Sequence, residues 1–412
     1  MKPKISFSEE QKDWIKRPLL SNIEKILDYR GRTPKKLGLS WSDTGFLALS
    51  ALNVKNGYID FNADANYGDQ ELYDRWMGDN HLHKGQVVFT TEAPMGNVAQ
   101  IPNDDLYILS QRTIAFEVKH DLIREDFLAT LLRSPKIFNE LTSLSSGGTA
   151  KGVSQKSLSN LKVCVPASLE EQSAIGSLFR ILDDLLASYK DNLANYQSLK
   201  ATMLSKMFPK AGQTVPEVRL DGFEGEWEEK YIGELADIVR GASPRPIQDP
   251  KWFDANSEIG WLRISDVTSQ NGRIHSLEQK ISKLGQEKTR VLTESHLLLS
   301  IAATVGKPVV NYVKTGVHDG FLIFMNPKFD REFMFQWLEM YREKWNRYGQ
   351  PGSQVNLNSD IVKNQKILVP CMEEQQAIGS YFNNLDNLIA THQEKIFQLE
   401  TLKKKLLQDM FI

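Results

Sequence analysis

Glu170-Glu171-Gln172-Ser173-Ala174-Ile175-Gly176-Ser177 and Glu373-Glu374-Gln375-Gln376-Ala377-Ile378-Gly379-Ser380 are near-copies of one octapeptide, and they decide the fold. Each opens a segment that keeps a Phe (Phe179, Phe382), a Leu-Asp step (Leu182-Asp183, Leu385-Asp386) and a closing Met-Phe (Met207-Phe208, Met410-Phe411). The offset is 373 − 170 = 203 residues at all of these positions. Both segments, 170–208 and 373–411, read as long helices. In the first, apolar residues recur at Leu178, Leu182, Leu185, Tyr189, Leu193, Tyr196, Leu199, Met203 and Met207. In the second they recur at Ile378, Phe382, Leu385, Ile389, Ile396, Leu399, Leu402, Leu406 and Met410. Steps of three and four over such a length form the seam of a coiled coil. Each helix is a rod of about 57 Å at 1.5 Å per residue.

Working outward, the chain repeats itself. Phe7…Trp14 is echoed by Phe223…Trp227, and Arg30-Gly31-Arg32-Thr33-Pro34 by Arg240-Gly241-Ala242-Ser243-Pro244-Arg245. Val87-Val88-Phe89-Thr90 before Gly96 is echoed by Leu297-Leu298-Leu299-Ser300 before Gly306, and 148–166 aligns without gaps to 352–370. The unit of about 200 residues is too long for a solenoid repeat. The expected fold class is α+β: two similar globular domains separated by two long helices that pair as an antiparallel coiled coil, a pseudo-twofold internal repeat. The boundaries read as 1–166 (first domain), 167–208 (central helix), 209–226 (linker), 227–370 (second domain) and 371–412 (terminal helix). Within the first domain, 46–49, 87–90, 114–118 and 161–165 read as strands, 126–132 as a helix and 145–152 as a flexible loop. If the helices pair antiparallel, the second returns to the first domain and the two domains face a two-fold target in inverted orientation, as duplex DNA offers.

Composition narrows the function. The net charge of −2 excludes one broad basic face, so any nucleic-acid contact must be local or completed by a partner. The longest apolar run, 297–303, is too short to span a bilayer, and residues 1–10 lack a signal-peptide core. The expected location is therefore the cytoplasm. Two cysteines, Cys164 and Cys371, each lie near a proline (Pro166, Pro370) and read as buried structural thiols. No catalytic constellation is present. The amino-methyltransferase tetrapeptide, a Gly-x-Gly cofactor loop and a phosphate loop are all missing, and Gly306-Lys307 lacks the glycine and hydroxyl the last requires. His81-x-His83 is only two residues, not a ligand set, and reads as a pair of surface histidines.

The candidate nucleic-acid contacts are local. Arg30, Arg32, Lys35 and Lys36 in one half, and Arg240 and Arg245 in the other, form basic loops at one repeated position. Arg reads guanine or phosphate and Lys reads phosphate, but a solvated turn has the same composition. Arg112, in Ser110-Gln111-Arg112, differs in chemistry from its counterpart His318-Asp319-Gly320. Lys151 and Gln155 in one Gly-rich loop, and Gln354, Asn356 and Asn358 in its echo, offer amides that match adenine edges; the same residues also suit a connector with polar caps. Lys403-Lys404-Lys405 reads as a solvated helix face.

This pattern resembles the specificity (S) subunit of type I restriction–modification systems. The residues that carry the resemblance are Pro166 to Gln172, Pro370 to Gln375, the Ala-Ile-Gly-Ser continuations and the linker from Val215 to Trp227. The resemblance covers essentially the whole chain. It implies two target-recognition domains, each reading half of a bipartite site in double-stranded DNA. The helices would then act as spacer and as docking surface for two methyltransferase (M) subunits, with two restriction (R) subunits as further partners. The chain would need no cofactor of its own. S-adenosylmethionine, ATP and magnesium would serve the partner subunits, which methylate adenine and cleave. The rival reading is a coiled-coil scaffold that tethers two protein partners without touching DNA.

Overall fold

The computed structural model describes residues 4, 14–145, 152–348 and 357–411. The chain divides into two compact units, Met1–Asp191 with Gln393–Ile412, and Asn192–His392. Two long helices run through this division: α1 (Leu169–Lys206) and α2 (Met372–Met410).

The first unit is built on a four-stranded antiparallel sheet in the order Ile23–Asp28, Thr113–Val118, Val87–Thr90, Val98–Gln100. Its strands are apolar on both faces because both are covered. Val87, Phe89, Ile114 and Phe116 face the core shared with the helix Glu125–Leu132 and with α1 and α2. Val88, Ala99 and Ala115 face a second core, around Trp76 and Leu49. The second unit repeats the plan with a five-stranded sheet: Asp237–Arg240, Phe321–Met325, Leu297–Ser300, Pro308–Asn311 and Arg273–Ile274, the last parallel to its neighbour. Leu297, Leu299 and Leu322 face the helix side, and Leu298, Val309 and Ile323 the other. The strands expected at 46–49, 87–90, 114–118 and 161–165 are present within a residue of those bounds, as is the helix expected at 126–132.

The octapeptide docks each long helix onto its own domain. Gln172 is fully buried; its Oε1 accepts from the Arg124 backbone N–H at 2.9 Å, and its Nε2 donates to the carbonyls of Leu122 and Pro166 at 3.1 and 2.9 Å. Gln375 does the same, accepting from the Asp330 N–H at 3.0 Å and donating to the Pro370 carbonyl at 2.9 Å. Arg124 and Asp330 are the N-caps of the helices Glu125–Leu132 and Arg331–Tyr341, so each Gln satisfies a backbone donor at a helix start that would otherwise be orphaned. Gly176 and Gly379 then let the backbones close in: a methyl at Gly176 would lie 2.4 Å from Asp126 Cβ, and one at Gly379 2.9 Å from the Phe333 nitrogen. The paired acidic residues at the start of each long helix also suit the positive end of its dipole. Glu374 is almost fully buried and is held by Arg219 through two bonds of 2.8 and 2.7 Å.

Within each unit, the start of one long helix runs antiparallel to the end of the other. In the first unit Lys403 pairs with Asp183, and Lys190 with Glu400 at 2.7 Å. In the second unit Lys200 pairs with Asp386 at 2.5 Å, and Tyr196 packs edge-on against His392 at 5.1 Å. The two Asp–Lys pairs are copies, since 386 − 183 and 403 − 200 are both 203. Met-Phe ends the pairing in each unit inside an aromatic cage. Phe411 lies 5.9 Å from both Trp14 and Phe127, and Phe208 lies 6.2 Å from Trp227 and 5.5 Å from Phe333.

Three details differ from the sequence reading. Leu185, Leu199 and Leu402, expected in the seam, are 42%, 38% and 45% exposed; Leu186, Lys200 and Lys403 occupy the inward positions instead. The inward step after Leu182 is four residues rather than three, and the lysines turn in because an aspartate on the other helix receives each one. Lys403 is thus paired rather than solvated, while Lys404 and Lys405 are exposed. Cys164 is buried as expected, but Cys371 is exposed, because it precedes the first turn of α2 at the surface.

Candidate nucleic-acid interface

In the first unit, loops from four segments converge at one edge of the sheet. Arg30 is held by the Asp28 carboxylate, with its Nε at 2.8 and 3.0 Å, and its Nη1 donates to the Val153 carbonyl at 3.3 Å. Gln155 Nε2 donates to the same carboxylate at 3.2 Å. Burial alone would push the Asp28 pKa up, but the Arg30 bonds outweigh it and the value is lowered. Arg112 adopts a left-handed backbone (φ 65°), and its Nε lies 3.4 Å from Glu92, which bridges to Gly152. Arg30, Gln155 and Arg112 therefore share one cluster with Asp28 and Glu92. Arg32 lies beside it, stacked 4.4 Å over Tyr29 and donating to the Trp76 carbonyl. Lys35 and Lys36 are exposed on the short 3₁₀ turn Pro34–Leu37, where Lys36 Nζ donates to the Gly31 carbonyl at 2.7 Å. Lys151 lies outside the described residues.

The second unit builds the equivalent edge differently. The turn from Val317 to Phe321 carries Asp319, which gathers three side chains. Arg240 Nε donates to its carbonyl at 2.6 Å, Ser243 Oγ to its Oδ1 at 2.8 Å, and Arg245 Nη2 pairs with its Oδ2 at 2.8 Å. Gly241 is required where it stands: any Cβ there would come within 2.1 Å of the His318 carbonyl oxygen. Arg290 Nε donates to the Arg240 carbonyl at 2.7 Å. An open cavity of about 280 Å³ lies beside this cluster, lined among others by Ser243, Arg245, Trp261, Arg263, His318 and Asp319. Burial lowers the His318 pKa, and its Nδ1 accepts from the Gly320 N–H at 2.8 Å, so the ring is neutral and fixed. Asn358 is the N-cap of the helix Ser359–Lys363, its Oδ1 accepting from the Ile361 N–H at 2.9 Å. Gln354 and Asn356 lie outside the described residues.

Backbone hydrogen bonds prove that the two edges are equivalent. The Thr91 N–H donates to the Arg112 carbonyl at 2.8 Å, and the Ile301 N–H to the Gly320 carbonyl at 2.8 Å, on the same rung of each sheet. Reasoning from sequence missed the carboxylates that orient these arginines, and also Trp261, Arg263 and Arg290. The Asp319 position was visible only as the odd member of a repeated pair. His81 and His83 are exposed, and no group of metal-ligating residues is found among the described residues. No helix among the described residues is long and apolar enough to cross a membrane.

The sequence model of the type I restriction modification DNA specificity domain matches the chain twice, over residues 20–195 and 224–401. The chain belongs to this family. It carries two of the family's DNA specificity domains, one per half, as the internal duplication requires. Among curated relatives, the type I restriction enzyme MjaVIII specificity subunit of Methanocaldococcus jannaschii is 23% identical over 316 residues, covering 73% of this chain and 72% of the relative. The putative MjaX specificity subunit of the same organism is 22% identical over 427 residues, covering 98% and 94%. The fold matches the crystal structure of a type I restriction–modification S subunit from M. genitalium with a TM-score of 0.66 at 14% identity, covering 100% of this chain and 99% of that one. A second match, to a chain from a study of complex assembly and conformational transition in the type I system, has a TM-score of 0.50 at 18% identity over 97% and 98%. The scaffold reading is not favoured, since it gives DNA specificity domains no DNA to read.

Proposed function

We propose that each unit reads one half of a two-part duplex site, that the paired helices set the gap between the halves, and that the chain supplies recognition while partner subunits supply chemistry. One observation supports this most. The parts that dock and pair the helices are copied at an offset of 203, whereas the arginine clusters at the equivalent sheet edges are built from different residues. A shared frame with unlike reading surfaces suits two unlike half-sites.

The outer faces of the helices support two copies of one modification subunit as partners. Leu185 and Leu402 are exposed in the first unit, Leu388 and Leu199 in the second, and 388 − 185 and 402 − 199 are again 203. A partner that covers one leucine pair meets the same pair a second time. Restriction subunits would join that assembly. S-adenosylmethionine, ATP and magnesium belong to the partners, and the complex works in the cytoplasm.

Sequencing methylated adenines in cells that carry the chain and its partners tests the proposal. The expected result is a two-part motif with a fixed gap. Inserting two helical turns, about seven residues, into both helices adds roughly 10 Å, or about three base pairs. The gap should lengthen while both half-sites stay the same; an unchanged gap would refute the spacer role.

A further inference from the structure

We propose that Arg245, aimed by Asp319, reads a guanine in the half-site met by the second unit, and so fixes one G·C pair of the recognised sequence. The inference rests on the two-half-site reading above and names the residues and the base for one half.

The Asp319 side chain is locked from two directions. Ser243 Oγ donates to Oδ1 at 2.8 Å, and the Asp319 N–H donates to Ser243 Oγ at 3.3 Å. The turn beneath is held by the Gly320–His318 bond and by Arg240 on the Asp319 carbonyl. Oδ2 is then presented to Arg245 Nη2 at 2.8 Å. The Arg245 side chain is 76% exposed, and its guanidinium makes no further hydrogen bond or ion pair among the described residues. One nitrogen of the fork is therefore held by protein, while the side chain stays largely exposed beside the cavity. A guanidinium held in this way is suited to the paired acceptors N7 and O6 of guanine in the major groove, which need a planar donor pair in a set orientation. A phosphate contact needs only positive charge, which a free lysine supplies.

The first unit gives independent support. Its equivalent rung also holds an exposed arginine against a carboxylate, Arg112 with Glu92, although the arginine comes from the turn itself rather than from the neighbouring loop. The two diverged halves thus both keep an arginine–carboxylate pair at this point of the scaffold, built from different positions. Arg245 contacts the base in this proposal, and Asp319 is a positioning residue.

The test uses the full chain with its partner subunits and reads every methylated site in a genome. Arg245→Ala should relax one G·C position of one half-site by roughly tenfold to a hundredfold, leaving the other half-site and the gap unchanged. Arg245→Lys should relax the same position, because a point charge cannot bridge N7 and O6. Asp319→Asn should relax it partly without changing the salt dependence of binding. Arg112→Ala should relax the other half-site. The proposal is overturned if Arg245→Ala weakens binding to all sequences alike and lowers the salt slope by about one, as a phosphate contact would, or if the site is unchanged. A wild-type complex with no two-part motif would instead overturn the reading on which the proposal rests. A variant that has lost its fold loses methylation everywhere; Arg245→Lys, which keeps size and charge, then decides the question.

Discussion

Replacing Gly176 with Ala sets two physical effects against each other. Gly176 sits inside α1, and Gly to Ala inside a helix is worth about 0.5–1 kcal/mol in favour of Ala. The packing points the other way. The new methyl would lie 2.4 Å from Asp126 Cβ and 2.9 Å from both the Asp126 carbonyl carbon and the Phe127 nitrogen. These atoms belong to the first turn of the helix Glu125–Leu132, whose start is pinned by Gln172, so no flexible chain end can swing away. The helices must separate, and such overpacking costs about 1–3 kcal/mol, with backbone contacts at the upper end. The first core also loses closure around Phe179 and Phe127. The net expectation is a loss of about 2 kcal/mol, or roughly 4–8 °C in melting temperature for a unit of this size. Scanning calorimetry of the purified chain measures it. A melting temperature equal to or above that of the parent would show that helix propensity outweighs the close approach, and the account of the repeated glycine would be wrong.

Two further outcomes follow from the second unit. Arg219→Ala removes the partner of the buried Glu374, and an uncompensated buried carboxylate costs about 3–5 kcal/mol. Urea titration should show that loss, with much of it recovered when Glu374→Gln is added; no recovery would place the effect elsewhere. His318 is held below its ordinary pKa of 6.5 by burial, against a smaller opposite pull from Asp319. Below about pH 6.5 the unfolded chain binds a proton that the folded chain refuses, so stability should fall as pH drops and be free of this penalty above that value. The difference in urea midpoint between the wild type and His318→Gln should shrink with falling pH. A difference independent of pH between 5 and 8 would remove His318 as the cause.

The helices were legible because a 203-residue echo preserves what both copies must do in the same way: the Gln that caps a neighbouring helix, the Gly that lets backbones touch, the Met-Phe that fills a cage. Strands such as Val87–Thr90 were legible because both faces are covered and the run is apolar throughout. The seam was less so. Leu185 and Leu186 compete for one inward position, and apolar spacing alone cannot tell them apart. Lys403 looked like part of an exposed charge run because its partner, Asp183, is 220 residues away in sequence. The reading surface was legible only as composition. The arginines were visible, but composition does not pair them with carboxylates: Asp28 lies two residues from Arg30, Glu92 lies 112 − 92 = 20 residues from Arg112, and Asp319 lies 74 residues from Arg245 on a distant turn.

The first unit is assembled from two distant pieces of chain, and its making therefore takes time. Asp191 and Gln393 are 393 − 191 = 202 residues apart. At a ribosomal rate of about 5–20 residues per second, the nascent amino-terminal lobe waits about 10–40 s for its missing segment. Until Phe411 emerges, the face around Trp14 and Phe127 stays uncovered on the growing polypeptide. A nonsense mutation close to residue 400 should therefore injure the part translated first, and such truncated chains should be held by chaperones through that face.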